Sequence, residues 1–147
     1  MCFSTAMHYN GCIEAAAAAV LCSHTCRGVD FAMTISQIIT ALDATLLTPD
    51  ADCAREVHTA CGSDMMSDVL AYVKDQAVLL TGLNNPQVVR TADMMDMICI
   101  VFVRGKRPDA SLLALADARD IAVMTTDKTM FTACGLLYEQ GLRGGGM

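Results

Sequence analysis

Tryptophan is absent from this sequence, and the 147 residues include only three prolines, three tyrosines and four phenylalanines. The aromatic residues are scattered, so the sequence does not predict a platform on which successive nucleic-acid bases stack. Positive charge is also scarce: ten Lys and Arg stand against sixteen Asp and Glu, which gives a net charge of −6. Because neutralisation of phosphates supplies most of the affinity for nucleic acids, we expect no nucleic-acid partner.

Long hydrophobic runs are missing as well, although 54% of the residues are hydrophobic and the mean hydropathy is +0.41. No run approaches the roughly 18 uncharged apolar residues that a membrane-spanning helix needs. No basic segment precedes the alanine run Ala15–Ala19, which argues against a signal peptide. We therefore expect a cytoplasmic protein without a membrane partner.

The eight cysteines are unevenly distributed along the chain. Cys99 falls inside an apolar strand and Cys134 inside an apolar helix, where free cysteine behaves as a small hydrophobe, as is typical of a reducing compartment. Four other cysteines crowd the first 32 residues, where Cys22, His24 and Cys26 resemble half of a zinc motif. The second pair of ligands that a structural zinc site needs is missing, so we expect neither a metal nor another cofactor.

Residues 1–32 differ in character from the rest of the chain. They contain three charged residues, two of the three histidines and no clear hydrophobic period. Met33, where the periodic pattern begins, is itself a plausible initiator. We interpret residues 1–32 as a poorly structured extension or the product of a mis-assigned start, residues 33–143 as the folded domain, and residues 144–147 as a flexible tail.

Short apolar runs alternate with amphipathic stretches from Met33 onward. Strands are predicted at Ala77–Thr81, Ile98–Val103 and Ile121–Thr125, and these runs are apolar on both faces, as in parallel sheets covered by helices. Strands that alternate with helices at this spacing indicate an α/β fold. The predicted architecture is a three-layer α/β/α sandwich with a mainly parallel sheet of four or five strands.

The remaining elements follow from hydrophobic spacing, caps and turns. Two more strands are predicted, a brief one at Thr45–Leu47 and an alternating one at Arg55–Cys61. Helices are expected over residues 33–42, 65–73, 86–96 and 109–119. Thr126 and Asp127 are expected to cap a last helix, which ends near Leu142.

Several segments, taken together, resemble the DRTGG domain family. They are Arg55-Glu56-Val57, Ser63-Asp64-Met65-Met66-Ser67-Asp68-Val69-Leu70, Leu79-Leu80-Thr81-Gly82, Ile100-Val101-Phe102-Val103-Arg104-Gly105 and Thr125-Thr126-Asp127, in that order. The resemblance extends from Met33 to about Leu142. It departs from the family at the naming motif, where His58-Thr59-Ala60 stand in place of the frequent Thr-Gly-Gly.

The resemblance implies a fold more strongly than a chemistry. The family is similar to the N-terminal domain of HPr kinase. It occurs as an accessory module of phosphotransacetylases and of pyrophosphatases with CBS domains, and as small stand-alone proteins, some associated with iron hydrogenases. The resemblance thus implies a regulatory role without an established catalytic residue, a metabolic or hydrogenase-type enzyme as partner, and a homodimer.

Three predicted strand-to-helix loops carry the residues that we assign to a ligand-binding site. They are Ser63 and Asp64 in the first loop, Thr81, Gly82 and Asn84 in the second, and Thr126 and Asp127 in the third. Because the carboxyl ends of parallel strands meet at one edge of a sheet, we expect these loops to form a small polar pocket. Each loop taken singly is also explained as a helix cap or a turn.

Three cations, Arg104, Lys106 and Arg107, follow the predicted strand Ile98–Val103. We expect Arg104 to supply positive charge for a small anionic ligand with a phosphate or carboxylate group. The alternative is a solvated cluster of surface charges. In an acidic protein this run is nevertheless the strongest candidate for an anion site.

Catalytic residue types are few. The sequence has no G-x-x-x-x-G-K-[ST] phosphate loop, and His58 is the only histidine after residue 32. We therefore expect no catalytic residue, and a regulatory module that senses a small anionic ligand or nucleotide, or docks on a metabolic enzyme. The alternatives are a small phosphotransferase or hydrolase that uses His58 with Asp64 or Asp68, and a purely structural adaptor.

Overall fold

The computed structural model describes residues 32–73 and 76–145. The chain divides into two units, Met1–Asp30 and Phe31–Met147, and every described residue lies in the second. Apart from Ala32, the predicted N-terminal extension with its cysteine and histidine motif lies outside the described residues. The last two residues of the predicted tail lie outside them as well.

A mainly parallel sheet with the strand order β2-β7-β6-β5-β4-β8 forms the centre of the domain. Its six strands are β2 (Thr45–Leu46), β4 (Thr59–Gly62), β5 (Ala77–Thr81), β6 (Cys99–Phe102), β7 (Ala122–Thr125) and β8 (Arg143–Gly144). The edge strand β2 runs antiparallel to β7, and the other neighbouring pairs are parallel. A separate antiparallel pair joins β1 (Met33–Thr34) to β3 (Glu56–Val57).

Helices cover both faces of this sheet. The helices of the described residues are α1 (Ile35–Leu42), α2 (Met66–Tyr72), α3 (Pro86–Met94), α4 (Ala110–Asp117) and α5 (Met130–Glu139). One core cluster joins α1 and α5 to one face, and a second joins α2, α3 and α4 to the other. The predicted α/β/α sandwich with a mainly parallel sheet is therefore confirmed, with one strand more than expected.

The central strands are buried on both faces, as their uninterrupted apolar sequences require. Every residue of β5, β6 and β7 is buried, and Phe102 is the largest of the fully buried side chains. None of the described helices is both long and apolar enough to cross a lipid bilayer.

Local sequence determines where the helices begin. Thr34 and Gln37 form a capping box at the start of α1. The Asn85 side chain accepts a hydrogen bond from the Gln87 amide in front of α3, where Pro86 occupies the first turn as predicted.

The predicted cap of the last helix is wrong. Thr129, and not Thr126 or Asp127, accepts the hydrogen bond from a first-turn amide of α5. Thr126 is buried, and its hydroxyl donates to the Leu42 carbonyl at 2.7 Å. A contact between residues so distant in sequence is invisible to local capping rules.

Two features at the sheet edge also differ from the prediction. The single strand predicted at Arg55–Cys61 is interrupted at His58, so that β3 and β4 belong to different sheets. Gly144, which falls in the predicted tail, pairs with Ala60 in the parallel ladder between β8 and β4.

Candidate functional site

The parallel strands bring the predicted loops to one end of the sheet. Residues 63–65, 82–85, 103–109 and 126–129 follow the carboxyl ends of β4, β5, β6 and β7, and we call these four segments the carboxyl rim. All eight predicted ligand-binding residues lie in the rim or, for Thr81, on the last residue of the strand that leads into it. The fold therefore brings all eight predicted residues to the same end of the sheet.

Asp64 ties together the loops that follow three neighbouring strands. Its Oδ1 accepts hydrogen bonds from the Gly82 amide at 2.6 Å and from the Thr81 hydroxyl at 3.1 Å. Its Oδ2 lies 3.1 Å from Nη2 of Arg104, in an ion pair in which both side chains are about half exposed. A single carboxylate thus fixes the spacing of the rim.

The same contacts keep this carboxylate charged. Desolvation alone raises the pKa of Asp64, but hydrogen bonds from Gly82, Thr81 and Arg104 outweigh it and lower the pKa below the usual value. Asp64 therefore carries a negative charge throughout the neutral range, and Arg104 compensates that charge in place. Neither residue presents its full charge to a ligand.

The backbone turns sharply at Arg104, which places its side chain over the neighbouring loop. Arg104 and Gly105 have φ values of +61° and +62°, in the left-handed region. Their amides donate to the carbonyls of Lys128 at 2.8 Å and Thr126 at 2.9 Å, which anchors the turn to the loop after β7. A Cβ atom on Gly82 would lie 1.6 Å from Nη2 of Arg104, so the position of the guanidinium requires a glycine there.

Ser63 is also engaged within the fold. Its hydroxyl accepts a hydrogen bond from the Met65 amide at 3.0 Å. Met65, the residue before α2, forms no side-chain cap, so Ser63 and Asp64 brace the loop rather than cap the helix. Asp127 is exposed beside Gly105, where a Cβ atom would come within 2.8 Å of its Oδ1. Its carboxylate forms no hydrogen bond or ion pair with other described residues.

The turn formed by residues 104–107, which we call the basic turn, has a fixed backbone, and the Arg104 side chain within it is paired with Asp64. The Thr125 hydroxyl donates to the Lys106 carbonyl at 2.7 Å, and the Asn84 side chain donates to the Arg107 carbonyl at 3.0 Å. The side chains of Lys106 and Arg107 are exposed and form no hydrogen bond or ion pair with other described residues. This geometry presents cations at the carboxyl end of a parallel strand, with Lys128 on the adjacent loop.

His58 does not meet the carboxylates that a hydrolase or phosphotransferase would require. It precedes β4, whereas Asp64 follows β4, so the two are separated by the length of a strand, roughly 13 Å. The His58 ring is about half exposed, with Nε2 4.0 Å from a carboxylate oxygen of Glu56. Among residues 32–73 and 76–145, no group of three or more His, Cys, Asp or Glu is arranged to hold a metal ion.

The four cysteines of the described residues are free thiols, and burial raises the pKa of three of them. Burial raises the pKa of the Cys61 thiol, with further contributions from Cys134 and Asp68, and burial also raises the pKa of Cys134. Burial raises the pKa of Cys99 to about 12. These three thiols are protonated at neutral pH and are poor nucleophiles.

Sequence reasoning missed a polar cavity at the opposite end of the sheet. We call this region, lined by Arg55, Gln76, Asp93, Asp96, Arg119 and Asp120, the amino end; its cavity has a volume of about 370 Å³. Arg55 pairs with Asp120 at 2.8 Å and Arg119 with Asp93 at 2.7 Å. The partners of each pair are far apart in sequence and come from different elements, so no local motif signals them.

Comparison with known proteins gives a consistent result for the fold. The model of the DRTGG domain family matches residues 37–139, which is more than two thirds of the chain. A solved structure of the CBS and DRTGG domains of the regulatory region of Clostridium perfringens pyrophosphatase, in complex with the activator diadenosine tetraphosphate, is similar with a TM-score of 0.62 and 16% identity. The similarity covers 73% of this chain and 46% of that chain. Curated protein sequences give no match.

The family match includes the segments on which the resemblance was based. At 16% identity the solved structure establishes the fold alone. The family model matches residues 37–139, well over half of the chain, and this match establishes the family. The chain belongs to the DRTGG domain family.

Proposed function

We propose that this DRTGG domain is a non-catalytic regulatory module whose carboxyl rim binds a small anionic ligand, such as a nucleotide or another phosphate compound. The observation that carries the proposal is the basic turn. Its backbone is held by Thr125 and Asn84 while the side chains of Lys106 and Arg107 remain exposed without partners among the described residues. Because the backbone of the turn is already fixed, binding of an anion does not require the loop itself to be ordered.

The roles of the other predicted site residues follow from their contacts. Asp64, Thr81 and Gly82 hold Arg104 in place and thereby position the turn. An anionic ligand that drew Arg104 away from Asp64 would release the loop after β5. Through this coupling, ligand binding at the rim would change the conformation of the loop after β5, which a bound partner could recognise.

The structural neighbour supports a regulatory role. A region that contains a DRTGG domain serves there as the regulatory region of a pyrophosphatase, and diadenosine tetraphosphate is its activator. By analogy, this chain acts on a metabolic enzyme, either by docking or within a larger assembly. The match covers less than half of the neighbouring chain, so the identity of the enzyme does not transfer.

Two further parts of the proposal concern assembly and compartment. Phe131 on α5 is 89% exposed and Met94 on α3 is 70% exposed, on opposite faces of the sheet, and we propose a homodimer that covers one of these faces. Free cysteines at all four described cysteine positions agree with the reducing cytoplasm. Light scattering should give twice the 15.7 kDa chain mass; a monomer at all concentrations would remove the dimer from the proposal.

Thermal unfolding of the full chain with inorganic triphosphate and with ATP tests the ligand site. A ligand that binds the folded state alone raises the melting temperature. The Arg107→Gln variant should weaken triphosphate binding about tenfold, since it removes a charged hydrogen-bond donor.

Arg90→Gln is the matched control, because Arg90 is exposed on α3 and its side chain forms no hydrogen bond or ion pair with other described residues. It removes the same side chain and the same charge from another surface. An equal loss of affinity in both variants would mean that only net charge matters and would contradict the site. An unchanged melting temperature with every phosphate compound would reject the sensor in favour of the structural adaptor.

A further inference from the structure

A groove lies along the β8 edge of the sheet, well apart from the basic turn. Its volume is about 520 Å³, within the usual range for small-molecule sites, and Tyr72, Tyr138, Arg143, Gly144 and Gly145 are among the residues that line it. We call it the edge groove. Because Tyr72 and Tyr138 come from helices on opposite faces of the sheet, the groove is flanked by both helical layers.

Two tyrosine rings are exposed at this groove. Tyr72 is 65% exposed and Tyr138 is 59% exposed, and both line the groove. Tyrosine offers an apolar face for stacking and a hydroxyl for hydrogen bonding. A planar ring that entered the groove would cover this exposed aromatic area.

Arg143 is fixed beside one of the rings. Its guanidinium carbon lies 3.9 Å from the centroid of the Tyr138 ring. The Arg143 side chain forms two hydrogen bonds with other described residues. Nη1 donates both of them, to the carbonyls of Tyr138 and Leu142. The remaining nitrogens, Nε and Nη2, are thus available to an anion, and the flat guanidinium provides another stacking surface.

The backbone of β8 adds hydrogen-bonding capacity. In the six-stranded sheet β8 is an outermost strand that pairs with β4 on one side only. Gly144 and the following Gly145 carry no side chains, so a ligand can approach the main chain closely. The outward peptide groups of an edge strand bind partners such as the polar edge of a heteroaromatic ring.

We infer that the edge groove binds a planar heteroaromatic ring that carries an anionic group, which is the chemistry of a nucleoside monophosphate. The ring stacks on Tyr72 and on the Tyr138–Arg143 pair, and Arg143 binds the anionic group. The site is separate from the basic turn and does not depend on the function proposed for it. Sequence reasoning missed it because its two tyrosines are distant in sequence and meet only in the folded chain.

Nuclear magnetic resonance of the full chain labelled with ¹³C in its tyrosine rings provides the test, with adenosine monophosphate as the probe. The sequence has three tyrosines, so single substitutions assign the ring signals. The signals of Tyr72 and Tyr138 should shift on titration. Ribose 5-phosphate, which has the anion but lacks the base, should bind at least about fivefold more weakly.

Tyr72→Leu and Tyr138→Leu should each weaken binding of adenosine monophosphate by roughly five- to 100-fold, as expected for the loss of a stacking ring. Arg143→Gln should weaken the binding of adenosine monophosphate more than it weakens the binding of adenosine. Phe131→Leu is the matched control, because Phe131 is 89% exposed on α5 and does not line the groove. It should leave the affinity unchanged.

Three results would overturn the inference. One is the absence of ring shifts up to ~10 mM adenosine monophosphate, a concentration that would detect even a millimolar dissociation constant. Another is equal binding of ribose 5-phosphate, which would mean recognition of the anion alone. The third is that Arg107→Gln no longer binds adenosine monophosphate while both tyrosine variants still bind it. That result would place the ligand at the basic turn instead.

Discussion

The two ends of the central sheet use aspartate in opposite ways. At the carboxyl rim, Asp64 accepts hydrogen bonds from Thr81, Gly82 and Arg104 and holds three loops in register. At the amino end, Asp96 and Asp120 follow the helices α3 and α4 with φ values of +52° and +55°. The left-handed conformation of these two residues is one in which glycine is more usual.

The two ends also differ in how their carboxylates are compensated. The amino end places carboxylates at helix C-termini, where the helix dipole is unfavourable for negative charge, and Arg55 and Arg119 offset them in part. The carboxyl rim contains three carboxylates, Asp64, Asp109 and Asp127, and four cations, Arg104, Lys106, Arg107 and Lys128. Arg104 neutralises Asp64, and the side chains of Lys106 and Arg107 have no partners among the described residues. The small excess of cations is why we place the proposed anion site at the rim.

The largest expected effect is that of Asp64→Ala. It leaves the Gly82 amide, the Thr81 hydroxyl and Arg104 without their acceptor, and the free energy of unfolding should fall by about 1–3 kcal/mol. Asp93→Ala at the amino end is the matched control, since its side chain is 46% exposed, against 47% for Asp64, and it also pairs with an arginine.

The control should cost less than about 1 kcal/mol, as is usual for a partly exposed ion pair. Urea unfolding monitored by circular dichroism measures both variants. An equal decrease in the free energy of unfolding in both variants would show that the Asp64 network stabilises the rim no more than a partly exposed ion pair stabilises the amino end.

A substitution of opposite sign is expected at the amino end. Asp96→Gly relieves the left-handed backbone and removes a negative charge from the end of α3, so it should stabilise the domain by about 0.5–1 kcal/mol. Asp117→Gly, at the last helical residue of α4, should destabilise the domain because glycine disfavours a helix. Thermal unfolding of both variants provides the measurement, and a destabilising Asp96→Gly would refute the assignment of strain.

The smallest effect concerns acid stability. The folded pKa of Asp64 is lowered, so its stabilising contribution is complete above its unfolded pKa of ~3.9 and is lost as the pH falls through the folded pKa. Hydrogen bonds from the Leu112 amide and from Ser111 lower the pKa of Asp109 and give it a contribution of the same sign.

Asp64→Asn should therefore flatten the decline in the free energy of unfolding below pH ~4, and Asp64→Asn/Asp109→Asn should flatten it further. Urea unfolding at a series of acidic pH values measures the slopes. A slope that is identical in wild type and Asp64→Asn would show that Asp64 gains no ionisation energy from folding.

Most of the fold was predictable from local sequence. The strand Ala77–Thr81 has the bounds that were predicted, and the two strands that follow it in sequence, β6 and β7, differ by at most one residue at each end. Apolar runs bounded by polar turns leave little ambiguity. The interruption at His58 and the short strand β8 were not predictable. Both depend on pairing with partners distant in sequence, and two-residue strands carry almost no pattern of their own.

The candidate site was predictable in position and less so in chemistry. Parallel strands required that the loops containing Asp64, Gly82 and Arg104 meet at one end. No sequence pattern indicates that Asp64 accepts three hydrogen bonds, or that the Thr126 hydroxyl turns inward to Leu42. Those outcomes depend on distances between loops, which only the folded chain sets.

Titration of the ¹⁵N-labelled full chain with inorganic triphosphate is the sharpest test of an anion site at the basic turn, because one experiment compares the two ends of the sheet. We expect amide shifts concentrated at Gly105, Lys106 and Arg107, with the amides of Asp96 and Asp120 unchanged. Shifts of equal size at both ends, or shifts confined to the amino end, would contradict an anion site at the basic turn.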